Sequence, residues 1–180
     1  MFIMTRRLVL RPLEERDFAD FCAYATSRDM CRMMGNTPMD TEEEARETFD
    51  YLAYTASRCY GIVTRWEDRL IGNLSIGNPV EEVRNLPETQ GKRGCSLSFC
   101  PHPKYQRQGL MEEVLRALLD ALFREGYEYV NCGQFDFNKP SEALQRKLGF
   151  TPCATFQTEM EGEVLTGTEN ILWNPRTQSE

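Results

Sequence analysis

The chain has 180 residues, of which 41% are hydrophobic and 27% are charged, and this composition is typical of one globular domain covering residues 1–180. The formal net charge of −7 disfavours a nucleic-acid partner and suits a cationic partner such as an amine, although it also serves solubility alone. No apolar run approaches the roughly 20 residues that span a bilayer, and the apolar N-terminal stretch is too short for a secretory signal. We therefore expect a cytoplasmic protein that makes no membrane contact.

Strands, helices and turns alternate along the first half of the chain. In order, the predicted elements are a strand at 8–11, a helix at 14–27, a helix that begins at the Thr41–Glu44 capping box, paired strands at 60–64 and 70–76, a loop at 77–91 and a strand at 96–100. Pro12 ends the first of these strands, and Pro101 and Pro103 end the last, because proline cannot donate to a sheet ladder.

The second half contains the clearest helix, Met111 to Glu125, whose apolar residues lie on one stripe and which Gly126 ends. It is followed by a strand at 129–135, a short helix at 141–148 and a hairpin of 153–159 and 165–173. Strand–helix–strand units require parallel pairing and hairpins give antiparallel pairing. We therefore predict a mixed α/β domain with a mostly antiparallel sheet and helices on both faces.

The cysteines of the chain argue against a disulfide framework and against a metal centre. There are seven, an odd number, and no two of them form a CxxC pair. His102 is the only histidine, so a zinc site is not expected. We interpret the cysteines as free thiols of a reducing compartment.

The junction between the fourth predicted strand and the long helix is the candidate anion site. The first amides of a helix lack intrahelical partners and carry partial positive charge, which suits phosphate. Gly109 allows the backbone to approach an anion closely, and Lys104 and Arg107 add mobile positive charge. Neither GxxxxGK[ST] nor GxGxxG is present, so the junction is not a P-loop or a dinucleotide fingerprint.

Three segments together resemble the GNAT acyltransferases, and they follow one another in the family's order. Gln106–Met111 resembles the Gln/Arg-x-x-Gly-x-Gly/Ala loop, and Asn138–Ser141 with Lys147–Phe150 is similar to the Asn-x-x-Ser…Leu-Gly-Phe stretch. Thr5–Leu13 resembles the branch that includes ribosomal-protein N-terminal acetyltransferases of the Rim type.

The resemblance implies a GNAT-like fold with splayed central strands and acetyl-CoA as co-substrate. It implies that the pyrophosphate binds to a loop of six residues, Gln106, Arg107, Gln108, Gly109, Leu110 and Met111. Phe99 and Cys100 would face the pantetheine, Asn138 would fix it, and Ser141 would be the catalytic acid beside the acetyl sulfur. A primary amine, either a protein N-terminus or a small molecule, would attack the thioester directly. The enzyme would be a monomer or a homodimer.

Each of these roles has a plainer alternative. Asn138 and Ser141 cap helices by residue type, Phe99 suits a sheet core, and Gly109 suits an ordinary turn. His102, between two prolines, is more typical of a loop than of a catalytic site.

The chain also departs from the family pattern at four positions. Met111 replaces a small loop residue, and Ser96 stands where many relatives carry a strand-four glutamate. Ser98 stands in place of a common glycine, and Gln145 stands where other branches place a tyrosine acid. Ordered waters are therefore expected to remove the amine proton, with the rate climbing towards the amine's own pKa. A non-catalytic acyl-CoA sensor and a partner-binding module remain the alternative functions.

Overall fold

The structure, a computed structural model that describes residues 1–177, alternates strands and helices along the chain. The strands are β1 (Ile3–Met4), β2 (Leu8–Arg11), β3 (Cys59–Thr64), β4 (Leu70–Gly77), β5 (Gly94–Pro101), β6 (Tyr129–Phe135), β7 (Thr151–Met160) and β8 (Glu163–Trp173). The α-helices are α1 (Phe18–Ala25), α2 (Arg28–Met34), α3 (Glu42–Asp50), α4 (Glu81–Arg84), α5 (Leu110–Arg124) and α6 (Lys139–Leu148). A π-helical turn at Tyr51–Thr55 follows α3.

Within the described residues the strands form one eight-stranded sheet in the order β1-β2-β3-β4-β5-β6-β8-β7. The pairs β1–β2, β2–β3, β3–β4, β6–β8 and β7–β8 are antiparallel, and β5 and β6 are parallel. This confirms the predicted mixed, mostly antiparallel sheet. The parallel ladder ends at the pair Ser96–Asn131, although β5 continues to Pro101 and β6 to Phe135, which agrees with the predicted splaying.

The contacts group the chain into two compact units, and unit 1 comprises Met1–Ser75 and Phe99–Ala117. One of its buried clusters joins α1, α3, β3 and β4 through Leu13, Phe21, Tyr24, Ala25, Phe49, Cys59, Val63 and Leu70. Leu10 and its β3 partner Ile62 are also fully buried, at 0% exposure. Because side chains alternate along a strand, both faces of this part of the sheet are covered, as predicted.

A buried ion pair fixes the turn from β2 into α1. The guanidinium of Arg11 donates to both carboxylate oxygens of Asp17, at 2.7 and 2.9 Å, and Asp17 also accepts the N–H of Glu14 at 2.8 Å. The hydrogen bond to Asp17 raises the pKa of Arg11 despite its burial. Asp17 is 2% exposed and Arg11 6%, so each charge depends on the other for compensation.

Unit 2 comprises Ile76–Ser98 and the described chain from Leu118 onwards. Its core includes a cluster of Val83, Tyr129 and Ile171, against which Trp173 packs. The hairpin of β7 and β8 pairs from Thr151–Ile171 to Met160–Glu163, which confirms the predicted closing hairpin.

Four sequence predictions are corrected by the structure. The chain begins with the short strand β1, so the predicted fourth strand is β5, and the helix α2 was not foreseen. Segment 77–91 is not a plain loop, because Val83 is buried and the hydroxyl of Thr89 donates to the Val83 carbonyl at 2.7 Å, which holds α4. The last helix begins at Lys139, two residues earlier than predicted.

The first prediction concerns the buried ion pair. Asp17→Asn keeps the side-chain volume but leaves Arg11 charged without a counter-charge, so the free energy of unfolding should fall by about 3–5 kcal/mol. Asp40→Asn is the matched control, because the Arg28–Asp40 pair at 2.7 Å is 70% and 62% exposed and should change stability by less than about 1 kcal/mol. Urea titration measures the free energy of unfolding of both variants. Equal losses would show that burial does not determine how much the Arg11–Asp17 pair contributes to stability.

Candidate active site

The loop between β5 and α5 has the backbone geometry of an anion site. Residues Gln106 to Gly109 are exposed, whereas Leu110, which begins the helix, is 3% exposed. Arg107 and Gly109 have positive φ angles of 60° and 72°. Left-handed residues at this spacing turn neighbouring N–H groups towards a common side, as in backbone nests that bind anions. The first amides of the fifteen-residue helix α5 follow directly.

Three side-chain hydrogen bonds hold this loop. Arg7 Nη1 donates to the carbonyl of Gln108 at 3.1 Å, and Gln108 Nε2 donates to the carbonyl of Lys104 at 3.0 Å. Gln106 Nε2 points to the sulfur of Met30 at 3.6 Å. None of the three uses a backbone N–H group, and the N–H of Gln106, at the start of the loop, donates to the Pro103 carbonyl at 3.3 Å. The arrangement therefore fixes the loop without using the donors that an anion needs.

Arg7 and Glu113 belong to this arrangement, although local sequence patterns do not mark them as site residues. The carboxylate of Glu113 accepts from Thr5 Oγ1 at 2.6 Å, from the Arg7 N–H at 2.8 Å and from Arg7 Nε at 2.6 Å. Burial would raise the pKa of Glu113, but these bonds outweigh it and lower that pKa. Arg7 Nη2 lies 3.7 Å from where a Cβ on Gly109 would stand. Its positive charge therefore adjoins the loop.

Phe99 and Cys100 lie on β5 in unit 1 and are both partly buried. Cys100 packs against the core of α1 and α3, and burial raises the pKa of its thiol to about 12. A thiol with this pKa is protonated at neutral pH, so Cys100 is not a thiolate nucleophile. A Cβ on Gly72 would lie 2.5 Å from the Cys100 carbonyl oxygen, so β4 holds this part of β5 closely.

His102 is a structural residue rather than an exposed loop residue. It is 8% exposed, and its Nδ1 accepts the N–H of Lys104 at 3.1 Å. Its ring makes edge contacts with Tyr24 and Tyr105, at centroid distances of 5.7 and 5.5 Å. Burial, followed by the charge of Lys104, lowers the pKa of His102. The low expectation of catalysis by this histidine is consistent with these contacts.

Asn138 and Ser141 lie at the start of α6 in unit 2. Asn138 Oδ1 accepts the N–H of Ser141 at 3.3 Å, so Asn138 caps the helix as its plainer alternative predicted. Ser141 itself lies inside the first turn and is not the cap. Its Oγ accepts a hydrogen bond from Gln145 Nε2 at 3.0 Å. Accepting this bond leaves the hydroxyl's own hydrogen for donation.

A buried amide network fixes the side chain that binds Ser141. Gln145, which is 1% exposed, accepts from Asn170 Nδ2 at 2.9 Å through its Oε1. Asn170 Nδ2 also donates to Gln134 Oε1 at 2.5 Å. Because Asn170 engages the oxygen of Gln145, the nitrogen must face Ser141. Gln145 therefore orients the hydroxyl of Ser141.

The predicted site residues fall into two groups, each within one unit. Phe99, Cys100 and 106–111 belong to unit 1, and Asn138 and Ser141 belong to unit 2. Among residues 1–177, no group of three or more His, Cys, Asp or Glu side chains could hold a metal ion. The same residues contain no helix both long and apolar enough to cross a membrane.

Residues 7–151 match the acetyltransferase (GNAT) domain family, so the chain belongs to the GNAT acetyltransferases. It is thus an acetyl-CoA-dependent acyltransferase, which favours the enzyme over the two non-catalytic alternatives. A comparison with curated proteins finds no match.

Several solved structures share the fold. A GNAT acetyltransferase from Bacillus anthracis has a TM-score of 0.81 at 19% identity, covering 97% of this chain and 99% of that one. Spermidine N-acetyltransferase from Vibrio cholerae, in complex with CoA and spermine, has a TM-score of 0.73 at 16% identity, with 96% and 98% covered. Ribosomal-protein-S5-alanine acetyltransferase from Vibrio fischeri has 0.70 at 12% identity, with 97% of each chain covered. At these identities the likeness shows the fold.

The second prediction tests the loop by charge. Aspartate and asparagine both tolerate the positive φ of 72° at Gly109 and have the same size, so only charge separates the two variants. Gly109→Asp should bind acetyl-CoA about 10- to 100-fold more weakly than Gly109→Asn, because a carboxylate repels the pyrophosphate. Calorimetric titration gives both dissociation constants, and the melting temperatures without ligand should agree. Equal affinities would mean that the pyrophosphate binds elsewhere.

Proposed function

We propose that this enzyme moves the acetyl group of acetyl-CoA to a primary amine, with the pyrophosphate of the co-substrate on residues 106–111. The observation that carries the proposal is the exposed loop at the start of α5, whose two positive φ angles and spare amides suit an anion. Arg7 Nη2, beside Gly109, is placed to donate to the phosphates. Leu110 is buried beneath the loop and anchors it.

The amine nitrogen attacks the thioester carbon directly, and the carbon–sulfur bond breaks with its electron pair on sulfur. Backbone N–H groups of β5 near Phe99 stabilise the oxyanion of the adduct. The hydroxyl of Ser141 donates its proton to the leaving thiolate. Gln145 supports this role because it donates a hydrogen bond to the hydroxyl oxygen, which leaves the hydroxyl hydrogen available. Phe99 and the backbone of Cys100 border the pantetheine, because the side chain of Cys100 packs against the core of α1 and α3. Asn138 contacts the pantetheine from the start of α6.

The acceptor is a cationic primary amine. The net charge of −7 attracts such a molecule, and two enzymes of the same fold are named for a polyamine and for the alanine of a ribosomal protein. A polyamine and a protein N-terminus share the ammonium group that an acidic surface recognises. We place the reaction in the cytoplasm, where the free cysteines of the chain stay reduced.

The third prediction concerns binding of the co-substrate. A ligand that binds only the folded state, at 100 times its dissociation constant, adds about 2.7 kcal/mol, which raises the melting temperature of a chain of this size by about 5–10 °C. Acetyl-CoA should produce this shift in a thermal melt. Acetylpantetheine and free acetate, which lack the pyrophosphate, should produce a much smaller one. An unmoved transition at saturating acetyl-CoA would contradict the assignment of the loop.

The fourth prediction concerns the leaving group. Ser141→Ala removes the proton donor but not the pyrophosphate loop, so kcat should fall about 10- to 100-fold while the dissociation constant of acetyl-CoA stays unchanged. Ser141→Thr keeps a hydroxyl and should retain more of the activity. Release of free thiol, followed with one good acceptor, measures kcat. An unchanged kcat in Ser141→Ala would leave the serine as a structural residue of α6.

A further inference from the structure

Glu169 on β8 is a buried carboxylate whose hydrogen-bond partner is an amide rather than a cation. It is 7% exposed, and its Oε2 accepts from Asn131 Nδ2 at 2.9 Å. Buried carboxylates are ordinarily paired with a positive group, since burial of an unpaired charge is costly. The burial of Glu169 therefore favours a positive partner, and the described residues do not provide one.

A glycine on the neighbouring strand provides the space that this carboxylate occupies. Gly133 on β6 is the register partner of Glu169. A Cβ on Gly133 would lie 2.3 Å from Glu169 Oε1 and 3.3 Å from the ring of Phe156. Any larger residue would displace the carboxylate, so glycine permits Glu169 to lie across β6.

Asn131 beside it has an unused acceptor. It is 0% exposed, and its Nδ2 donates both to Glu169 and, at 3.3 Å, to the hydroxyl of Ser96. Because the carboxylate requires a donor, the nitrogen faces Glu169 and the orientation of the amide is fixed. Its Oδ1 is buried and has no hydrogen-bond partner among the described residues. Buried acceptors are rarely left unpaired, so this atom indicates a donor from outside the chain.

Ser96, Asn131 and Glu169 all belong to unit 2, and Ser96 is the position where the family resemblance puts a glutamate. From the sequence alone, ordered waters are expected to remove the amine proton because this strand has no carboxylate. Asn131 donates both to Ser96 and to Glu169, so it connects the position of Ser96 to a carboxylate on β8. An ammonium group, with several donors and a positive charge, suits both Glu169 and Asn131 Oδ1.

We propose that Glu169 is the base that takes a proton from the acceptor's ammonium group, which Asn131 Oδ1 helps to hold. The proposal rests on the proposed acetyl transfer. Glu169 takes one proton from R–NH₃⁺ and releases it to solvent, which leaves R–NH₂ to attack the thioester. The adduct nitrogen loses a second proton as the carbon–sulfur bond breaks. The thiolate takes the proton of Ser141, and the second amine proton restores the Ser141 hydroxyl through solvent. One proton is released in each turnover.

The charged and titratable groups around Glu169 favour this role. Glu82 on α4 has the same sign, and the neighbouring thiols of Cys132 on β6 and Cys153 on β7 stay protonated, because burial raises both pKa values. Burial first, and then Glu82, raise the pKa of Glu169, while Asn131 opposes the shift. A base whose pKa approaches the working pH accepts protons more effectively. Because Glu169 works when ionised, kcat rises as pH passes through its pKa.

The test is kcat against pH for the wild type and Glu169→Gln, which keeps an acceptor for Asn131. The wild type should rise with pH and level off above the pKa of the carboxylate. In Glu169→Gln, kcat at pH 7 should fall about 100- to 1000-fold and climb without levelling towards the amine's own pKa, with acetyl-CoA affinity kept. Glu169→Asp, which keeps a carboxylate, should retain the plateau at a lower rate.

Glu82→Gln is the matched control, since it removes a neighbouring carboxylate on α4. It should keep the plateau and move the rise to lower pH, because a like charge is gone. A kcat in Glu169→Gln within twofold of wild type, with the same pH profile, would overturn the proposal, as would loss of the plateau in Glu169→Asp. Failure of the wild type to shift its melting temperature with acetyl-CoA would instead overturn the proposed function itself.

Discussion

The carboxylate of Glu113 accepts hydrogen bonds from the hydroxyl of Thr5 and from the backbone and side chain of Arg7, and the cofactor loop depends on this junction. Charge-assisted bonds of this kind are short and strong. They tie the start of the sheet to the first turn of α5, and they bring the guanidinium of Arg7 to the carbonyl of Gln108. The ion pair compensates both charges, so the loop offers phosphate its backbone amides and the partial positive charge at the start of α5.

Unit 2 has a polar system of a different kind, in which amides are buried to orient other side chains. Gln145 and Asn170 fix the hydroxyl of Ser141, and Asn131 fixes the carboxylate of Glu169. Burying amides is costly unless their hydrogen bonds are made, so each network has few alternative arrangements. This rigidity is what general acid–base chemistry requires, because proton transfer depends on a fixed donor and a fixed acceptor.

Local patterns were enough to predict the mixed sheet, the capping box of Thr41 and Glu44, and the long helix with its terminal glycine, because periodicity and capping act over a few residues. The loop at Gly109 was predicted for the same reason. The partners of Glu113 and Glu169 were not, because they lie 106–108 and 38 residues away along the chain. The residue type at position 145 indicated only that a tyrosine acid is absent. The contact of Gln145 with Ser141 could not be predicted, because it depends on the three-dimensional position of both side chains on α6.

The most direct test of the central claim is a structure of the complex with coenzyme A, in which the distances from phosphate oxygens to backbone nitrogens are measured. We expect pyrophosphate oxygens to lie within about 3.2 Å of at least two backbone nitrogens between Arg107 and Met111. The guanidinium of Arg7 should lie on the same side of the loop. A complex whose pyrophosphate lies away from these amides would contradict the account, whatever the activity of the enzyme.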